Sequence, residues 1–358
     1  MTSEDLGDVP KPRVRRRQTR EDQGYAWNID EPRSYSHPSR AVEQPGGDVR
    51  FPPVENGIDY LLSVMESLAK DDGSEATARE LKYGVLHLQA AAEVLLKARL
   101  QREHWTLVLQ KLDQRATRAR FVAGDFVSCG SDEAVVRLRD IVGLDISKDD
   151  QDALKALATA RNALQHYGLA STAADVELTA MNALDFLIRF LDQHLLPALP
   201  ETEQQAVRND VETIRMGLAK IKAFVTRRMD RVRQELSDFR DRTLECLRCR
   251  QMALLVDGGS ATCYFCSRTG GSGNATLDYV FHVQGLWWGM DEHDPVGPCP
   301  HCGHDALVFG AKTVATGEES VDFCFDCSTT TTRRAAAADA PTSENAASNG
   351  APGPTTGR

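Results

Sequence analysis

The sequence is poor in aromatic residues and has no long apolar run. Aromatic side chains make up 6% of its 358 residues, so a core must be built mainly from Leu, Val and Ala. No stretch approaches the roughly 18 consecutive apolar residues of a transmembrane helix. The first residues also lack the apolar segment of a secretory signal. We therefore expect no membrane span and a cytoplasmic location.

Two common enzyme signatures are missing as well. There is no G-x-x-x-x-G-K phosphate loop and no G-x-S-x-G nucleophile turn. The formal charge is −10, from 42 basic and 52 acidic residues, which argues against a chain uniformly coated for nucleic acid. One local exception is the stretch Lys97–Arg120, which contains seven Lys or Arg residues and two acidic residues, a local charge of 7 − 2 = +5.

Composition and periodicity divide the chain into five segments. Residues 1–54 and 328–358 are low in apolar periodicity and are predicted to be disordered. Residues 55–198 show helical spacing of apolar positions and predict a bundle of four or five helices. Residues 199–245 predict a long helix, and residues 246–327 predict two small β ribbons. The expected fold class is therefore mainly α.

The long helix is predicted from a heptad-like seam. From Glu201 to Glu245 there is no proline and a single glycine, Gly217, and apolar residues recur at steps of three and four with one stutter. An unbroken helix over this range would be about 65 Å long. Such a seam needs a partner, either the chain's own bundle or a second copy. We expect self-pairing, as in a coiled coil, and hence a homodimer.

Eight of the nine cysteines form Cys-x-x-Cys pairs, and only Cys129 stands alone. Without an export signal, this pattern indicates thiolates that hold metal in a reducing compartment rather than disulfides. The pairs are Cys246 with Cys249, Cys263 with Cys266, Cys299 with Cys302, and Cys324 with Cys327.

The spacing of these pairs predicts two structural zinc ions. Thirteen residues separate the first two pairs and 21 separate the last two, and two such turns on facing hairpins complete a tetrahedral site of four sulfurs. Four thiolates favour zinc, or less often iron, and leave no open position for water. Sequential pairing is the simplest arrangement, and cross-braced pairing remains an alternative. Neighbouring histidines are expected to be surface or supporting residues: His282, His293, His301 and His304.

The stretch LKALATARNALQHYGL, residues 154–169, predicts an amphipathic helix that ends at Gly168. Its polar side carries Arg161, Asn162 and His166. Histidine changes protonation near neutral pH and can exchange a proton with a ribose 2′-OH or a leaving 5′-oxygen. Arginine can stabilise the charge of a phosphorane, and Asn162 lies four residues before His166, on the same helix face. These groups are suited to cleaving RNA without a metal.

The same residues also have a purely structural interpretation. In an ideal helix Arg161 lies about 140° away from His166, so one copy forms a poor site unless the helix end or a second copy corrects the geometry. In the structural interpretation, Arg161 pairs with an acidic residue on a neighbouring helix, and His166 interacts with the helix C-terminus.

The segment ARNALQHYG, on the penultimate helix of a small bundle, resembles the R-x(4–6)-H motif of the HEPN superfamily. The helix HLQAAAEVLLKARLQREHW resembles the long helix of such domains, and the likeness covers residues 57–197. Catalytically active members are metal-independent endoribonucleases in which two motifs meet at a homodimer interface and leave a 2′,3′-cyclic phosphate. The resemblance implies that Arg161 and His166 are the catalytic pair and that Asn162 assists.

The resemblance also implies partners. Many members act in toxin–antitoxin or phage-defence systems, which implies an RNA substrate and a neutralising protein. We expect the ribbons and the Lys97–Arg120 stretch to hold single-stranded RNA. The ribbons are not part of the family core, and other members are non-catalytic. The alternative is therefore a zinc-ribbon adaptor or regulator whose bundle only dimerises or docks a partner.

Overall fold

The computed structural model describes residues 51–168, 171–286 and 294–331. In these ranges the chain forms a helical bundle followed by two small antiparallel sheets, which confirms the mainly α fold class and the two C-terminal β units. No helix among them has the length and hydropathy needed to cross a bilayer. Apart from residues 51–54 and 328–331, the segments predicted to be disordered lie outside the described residues.

The bundle is built from eight α-helices in the described ranges, and a ninth short helix lies between the sheets. The helices are α1 (Pro53–Leu68), α2 (Ala78–Glu103), α3 (Arg118–Val122), α4 (Ser131–Asp140), α5 (Lys148–Asn162), α6 (Ala173–Phe190), α7 (Glu201–Leu218), α8 (Lys222–Glu235) and α9 (Ser272–Asp278). The strands are β1 (Thr243–Glu245), β2 (Met252–Asp257), β3 (Ser260–Cys263), β4 (Thr269–Gly271), β5 (Val296–Pro298), β6 (Asp305–Ala311), β7 (Val321–Cys324) and β8 (Thr330–Thr331).

Helices α1 and α2 form an antiparallel hairpin at the centre of the bundle. Pro53 opens α1, a position where its fixed φ and missing N–H suit a helix start, so the helix begins inside the predicted arm. Thr77 and Glu80 form a capping box at the start of α2. The two helices approach closely because Gly57 of α1 leaves room for Leu95 of α2.

Helices α5 and α6 form a second antiparallel pair. Asp150 in the first turn of α5 pairs with Arg189 in the last turn of α6. Thr172 caps α6, since its hydroxyl accepts a hydrogen bond from the Asp175 N–H at 3.1 Å. The apolar faces of both helices pack into the main core, to which α5 contributes Leu154 and Leu157.

The prediction of one long helix over residues 199–245 is wrong. The segment forms two helices, α7 and α8, with a break at residues 219–221, and it then turns into β1. Apolar residues of the predicted seam are buried in the chain's own core rather than left for a coiled-coil partner: α7 packs on α1, and α8 packs on α6. The seam is therefore no evidence for a homodimer.

The break between α7 and α8 is held by the loop that joins α1 and α2. The Lys220 ammonium pairs with Asp71, and the Lys222 ammonium donates to the carbonyl oxygen of Gly73 at 2.8 Å. Ile221 is extended, with φ −92° and ψ 98°, and its side chain is buried. Because of the break, α7 can pack on α1 and α8 can pack on α6. One straight helix would extend away from the bundle.

Each ribbon is a four-stranded antiparallel sheet in chain order, β1-β2-β3-β4 and β5-β6-β7-β8. The two sheets are joined by an isolated bridge between Leu244 and Thr313. Tyr279, just after α9, packs its ring against Phe325 with the centroids 5.4 Å apart. The hydrophobic core continues from the bundle through the first ribbon and reaches one face of the second.

The close approach of α1 and α2 gives a stability prediction. A Cβ atom at Gly57 would lie 2.5 Å from the Cδ2 atom of Leu95, and Leu95 is fully buried. Gly57→Ala should therefore lower the free energy of unfolding by about 1–3 kcal/mol, measured by chemical denaturation. Gly273→Ala, in a helix with open space around the added Cβ, is the matched control. Equal stability of both variants and the wild type would contradict this packing.

Candidate functional site

The four Cys-x-x-Cys turns share one backbone geometry. In each, the residue after the second cysteine has a positive φ and donates its N–H to the carbonyl oxygen of the first cysteine at 2.8–2.9 Å. The φ values are 59° at Arg250, 57° at Ser267, 76° at Gly303 and 58° at Ser328. Gly303 adopts this conformation without strain because glycine has no Cβ atom. The other three positions adopt the same left-handed conformation at the cost of some backbone strain.

The structure brings the eight paired cysteines together as two groups of four. Within each group the four sulfur atoms lie within 4.8 Å of one another. Cluster 1 contains Cys246, Cys249, Cys263 and Cys266, and cluster 2 contains Cys299, Cys302, Cys324 and Cys327. This is the sequential pairing, and the cross-braced alternative is not formed.

Both clusters fit a tetrahedral metal ion. In cluster 1 the Sγ–Sγ distance is 3.8 Å from Cys246 to Cys266 and 3.6 Å from Cys249 to Cys263. In cluster 2 the two corresponding distances are both 3.7 Å. A tetrahedron with Zn–S bonds of 2.3 Å has edges of about 3.8 Å. The clusters are therefore compatible with two structural metal sites, each fully closed by protein ligands.

Burial and the neighbouring groups shift the pKa values of the cluster 2 thiols in opposite directions. In cluster 2, burial acts to raise the pKa of Cys299, but backbone N–H groups of Cys302 and His301 and the neighbouring thiols together lower it to about 6. Burial raises the pKa of Cys324 to about 12. A bound cation would stabilise all four sulfurs as thiolates.

Cluster 1 is anchored to the bundle by a buried arginine that the sequence analysis did not identify. Arg228 of α8 is 2% exposed, and it contacts the Asp185 carboxylate at 3.2 Å and the Tyr264 carbonyl oxygen at 3.4 Å. Tyr264 lies between Cys263 and Cys266. The guanidinium also lies 5.8 Å from the ring centroids of Phe224 and Phe265. Burial lowers the pKa of Arg228, so Asp185 and the carbonyl are needed to stabilise its charge.

The Arg–Asn–His stretch lies where α5 changes its helical geometry. The α-helix ends at Asn162, residues Ala163–Tyr167 form a single turn of π-helix, and Gly168 ends the segment with a φ of 77°. In a π turn the hydrogen bonds run from residue i to i+5. Residues five apart are therefore closer in angle than in an α-helix, which reduces the predicted mismatch between Arg161 and His166.

The polar side chains of the Arg–Asn–His stretch are accessible to solvent. Asn162 and His166 are exposed, Arg161 is half-buried, and Tyr167 is 88% exposed. An Arg161 Nη1 atom donates to the Asn162 side-chain oxygen at 2.9 Å. Neither Arg161 nor His166 has an acidic partner within residues 51–168, 171–286 and 294–331. The predicted structural ion pair of Arg161 is thus not found there.

The Lys97–Arg120 stretch is less basic than its sequence suggests. Five of its seven cations pair with nearby carboxylates, which lowers the charge available to bind a phosphate backbone. The pairs are Lys97–Glu93, Arg99–Glu103, Arg102–Glu203, Arg115–Asp113 and Arg120–Asp125.

The stretch also lies at the opposite end of α5 from the Arg–Asn–His turn. Arg137 of α4 donates to the Leu107 and Leu109 carbonyls at 2.7 Å, and Arg139 donates to Gln151 in the first turn of α5 at 3.1 Å. Helix α5 has 15 residues, a length of about 22 Å. One RNA strand would therefore need to span roughly that distance to touch both.

In comparisons with known proteins, no family model, no curated protein and no solved structure matches the chain.

Metal content tests the two clusters. We expect two ions per chain, and we expect Cys249→Ser and Cys302→Ser each to reduce the content to one, because each substitution removes one of four ligands. Metal analysis of the purified protein measures this. Cys129→Ser is the control, since Cys129 is buried but belongs to neither cluster. A content unaffected by the cluster substitutions would contradict metal binding at these sites.

Arg228 gives a second test. Arg228→Met should lower the free energy of unfolding by about 1.5–3 kcal/mol, the effect of losing hydrogen bonds to a charged group. Arg233→Met is the matched control on the same helix, because the Arg233 side chain is 65% exposed, and it should change stability by less than about 0.5 kcal/mol. Denaturant titration with zinc present measures both. Equal effects would mean that Arg228 does not join the ribbon to the bundle.

Proposed function

We propose that the protein is a metal-independent endoribonuclease of HEPN type, in which Arg161 and His166 are catalytic and Asn162 assists. Its two cysteine clusters hold structural zinc, and the ribbons help to bind RNA or a partner. A homodimer that brings two Arg–Asn–His turns together would supply a complete site. A toxin or phage-defence role with a neutralising protein, in the reducing cytoplasm, follows from the same resemblance.

The π turn at Ala163–Tyr167 is the observation that most favours this function. Single π turns are uncommon and often occur at functional sites. The described residues contain two others, Leu191–Leu195 and Tyr279–Gln284, and the turn at Ala163–Tyr167 differs from them in having three consecutive exposed residues, Gln165, His166 and Tyr167. This turn places an exposed histidine five residues after an arginine that has no acidic partner among the described residues.

The chemistry requires only groups that the turn presents. A neutral imidazole of His166 takes the proton from a ribose 2′-OH, and the 2′-oxygen forms a bond to phosphorus. Arg161 stabilises the added negative charge of the phosphorane, and its contact with Asn162 limits its rotamers. The bond from phosphorus to the 5′-oxygen then breaks. A proton from the imidazolium of the second copy neutralises the leaving oxygen, and a 2′,3′-cyclic phosphate remains.

The role of His166 is testable in a cleavage assay. His166→Ala should reduce cleavage of a mixed single-stranded RNA pool in EDTA by at least about 100-fold, because general acid–base catalysis contributes 10²–10⁴-fold. Gln165→Ala, an exposed neighbour on the same turn, is the matched control and should retain activity. Zinc content and circular dichroism must match the wild type for both variants. Equal cleavage by wild type and His166→Ala would refute the assignment.

A non-catalytic adaptor is the second candidate function, and three exposed apolar side chains favour it. Leu112, Val122 and Val127, in the segment between α2 and α4, are each about 70% exposed, at 71%, 73% and 69%. These three side chains could supply apolar contact area to a partner protein. In this case His166→Ala would have no effect, whereas charged substitutions at Val122 and Val127 would abolish capture of the partner.

A further inference from the structure

The two cysteine clusters differ in their access to solvent. All four cysteines of cluster 1 are buried, at 3% exposure or less, and belong to the main hydrophobic core. In cluster 2, Cys299 and Cys324 are buried, but Cys302 and Cys327 are only half-buried. The sulfurs of cluster 2 also lie in a small apolar cluster of their own. Ions and chelators in solution can therefore approach cluster 2 more directly.

Cluster 1 is in addition held closed by the bundle. Arg228 of α8 contacts the carbonyl of Tyr264 inside one of its turns, and Arg268, two residues after Cys266, pairs with Glu212 of α7. Release of an ion from cluster 1 requires the ribbon to separate from both helices. We therefore expect it to be slow and to accompany loss of the bundle's packing.

A further set of metal-ligating groups lies beside cluster 2. The Cys302 sulfur, a ring nitrogen of His304 and a carboxylate oxygen of Asp326 lie within 4.8 Å of one another. The His304 side chain is 68% exposed, and its Nδ1 atom forms a hydrogen bond with the Asp326 carboxylate. The Ser272 hydroxyl donates to Asp326 at 2.9 Å and orients the carboxylate. Sulfur, nitrogen and oxygen together are a donor set that zinc accepts.

We propose that cluster 2 is an exchangeable zinc site and that Cys302, His304 and Asp326 form the entry site through which the ion enters and leaves. Cys302 belongs to both sets, so the ion can move between them without leaving this sulfur. As the ion leaves, it loses its bonds to Cys299, Cys324 and Cys327. Each lost bond is replaced by a bond to His304, to Asp326 or to water. Three protein ligands leave a fourth position open, and a chelator can bind there.

This inference concerns metal exchange only and does not depend on ribonuclease activity. Its test uses the full chain loaded with two zinc ions and the colorimetric chelator 4-(2-pyridylazo)resorcinol. We expect two phases of zinc release, each of one equivalent. The fast phase should leave the far-ultraviolet circular dichroism unchanged. Cys302→Ser should remove the fast equivalent and keep the slow one. Release of both ions in a single phase, or loss of helical signal in the fast phase, would overturn the assignment of cluster 2.

The entry site is tested separately by His304→Ala, with His301→Ala as the matched control. His301 is an exposed histidine between Cys299 and Cys302, and it is not part of the entry set. An entry site changes the rates of exchange but not the equilibrium. His304→Ala should thus slow zinc uptake and zinc release in the fast phase by the same factor, about tenfold, with an unchanged Kd.

The alternative role of His304, as a support that strengthens the closed cluster, predicts a different result. In that case His304→Ala would raise the Kd and accelerate release, as substitutions of residues that orient metal ligands do. This outcome, or rates equal to those of His301→Ala, would overturn the entry site. Slower exchange at constant Kd supports it.

Discussion

One buried carboxylate organises the interface between the helices and the first ribbon. Asp185 of α6 pairs with Arg189, Arg228 and Arg231, and a charge this deep in a protein is tolerated only when it is paired and hydrogen-bonded. These pairs fix α8 against α6, and Arg228 continues the contact to the backbone of Tyr264 in cluster 1. Because Arg189 also reaches Asp150 at the start of α5, the same charges connect the helix of the Arg–Asn–His turn with a metal site.

The ends of α5 therefore have different roles. Its first turn is fixed by the ion pair of Asp150 with Arg189 and by the contact of Gln151 with Arg139. Its last turn widens into a π turn whose polar side chains face solvent. A rigid base with an open, polar end is a suitable arrangement for a site that must bind a substrate and hold its reactive groups in place. This arrangement supports the proposed chemistry without requiring the basic stretch at the other end.

Much of this architecture could be predicted because it depends on local signals. The cap at Thr172 and the four cysteine pairs each follow from short-range chemistry, and the structure contains them. The helix break at residues 219–221 could not be predicted, since the seam continues across it and the contacts of the turn with Asp71 and Gly73 come from residues distant in sequence. The π turn leaves no mark in residue spacing. Arg228 was missed because a lone arginine on a charged helix is usually exposed.

The central claim is that the exposed Arg–Asn–His turn cleaves RNA by attack of the neighbouring 2′-oxygen. The most direct test is analysis of the product ends after incubation of single-stranded RNA with the zinc-loaded wild-type chain and no added divalent metal. The account predicts 2′,3′-cyclic phosphate and 5′-hydroxyl ends, because the attacking oxygen belongs to the substrate and the 5′-oxygen leaves. Ends bearing a 5′-phosphate and a 3′-hydroxyl, or intact RNA with a correctly folded protein, would contradict it.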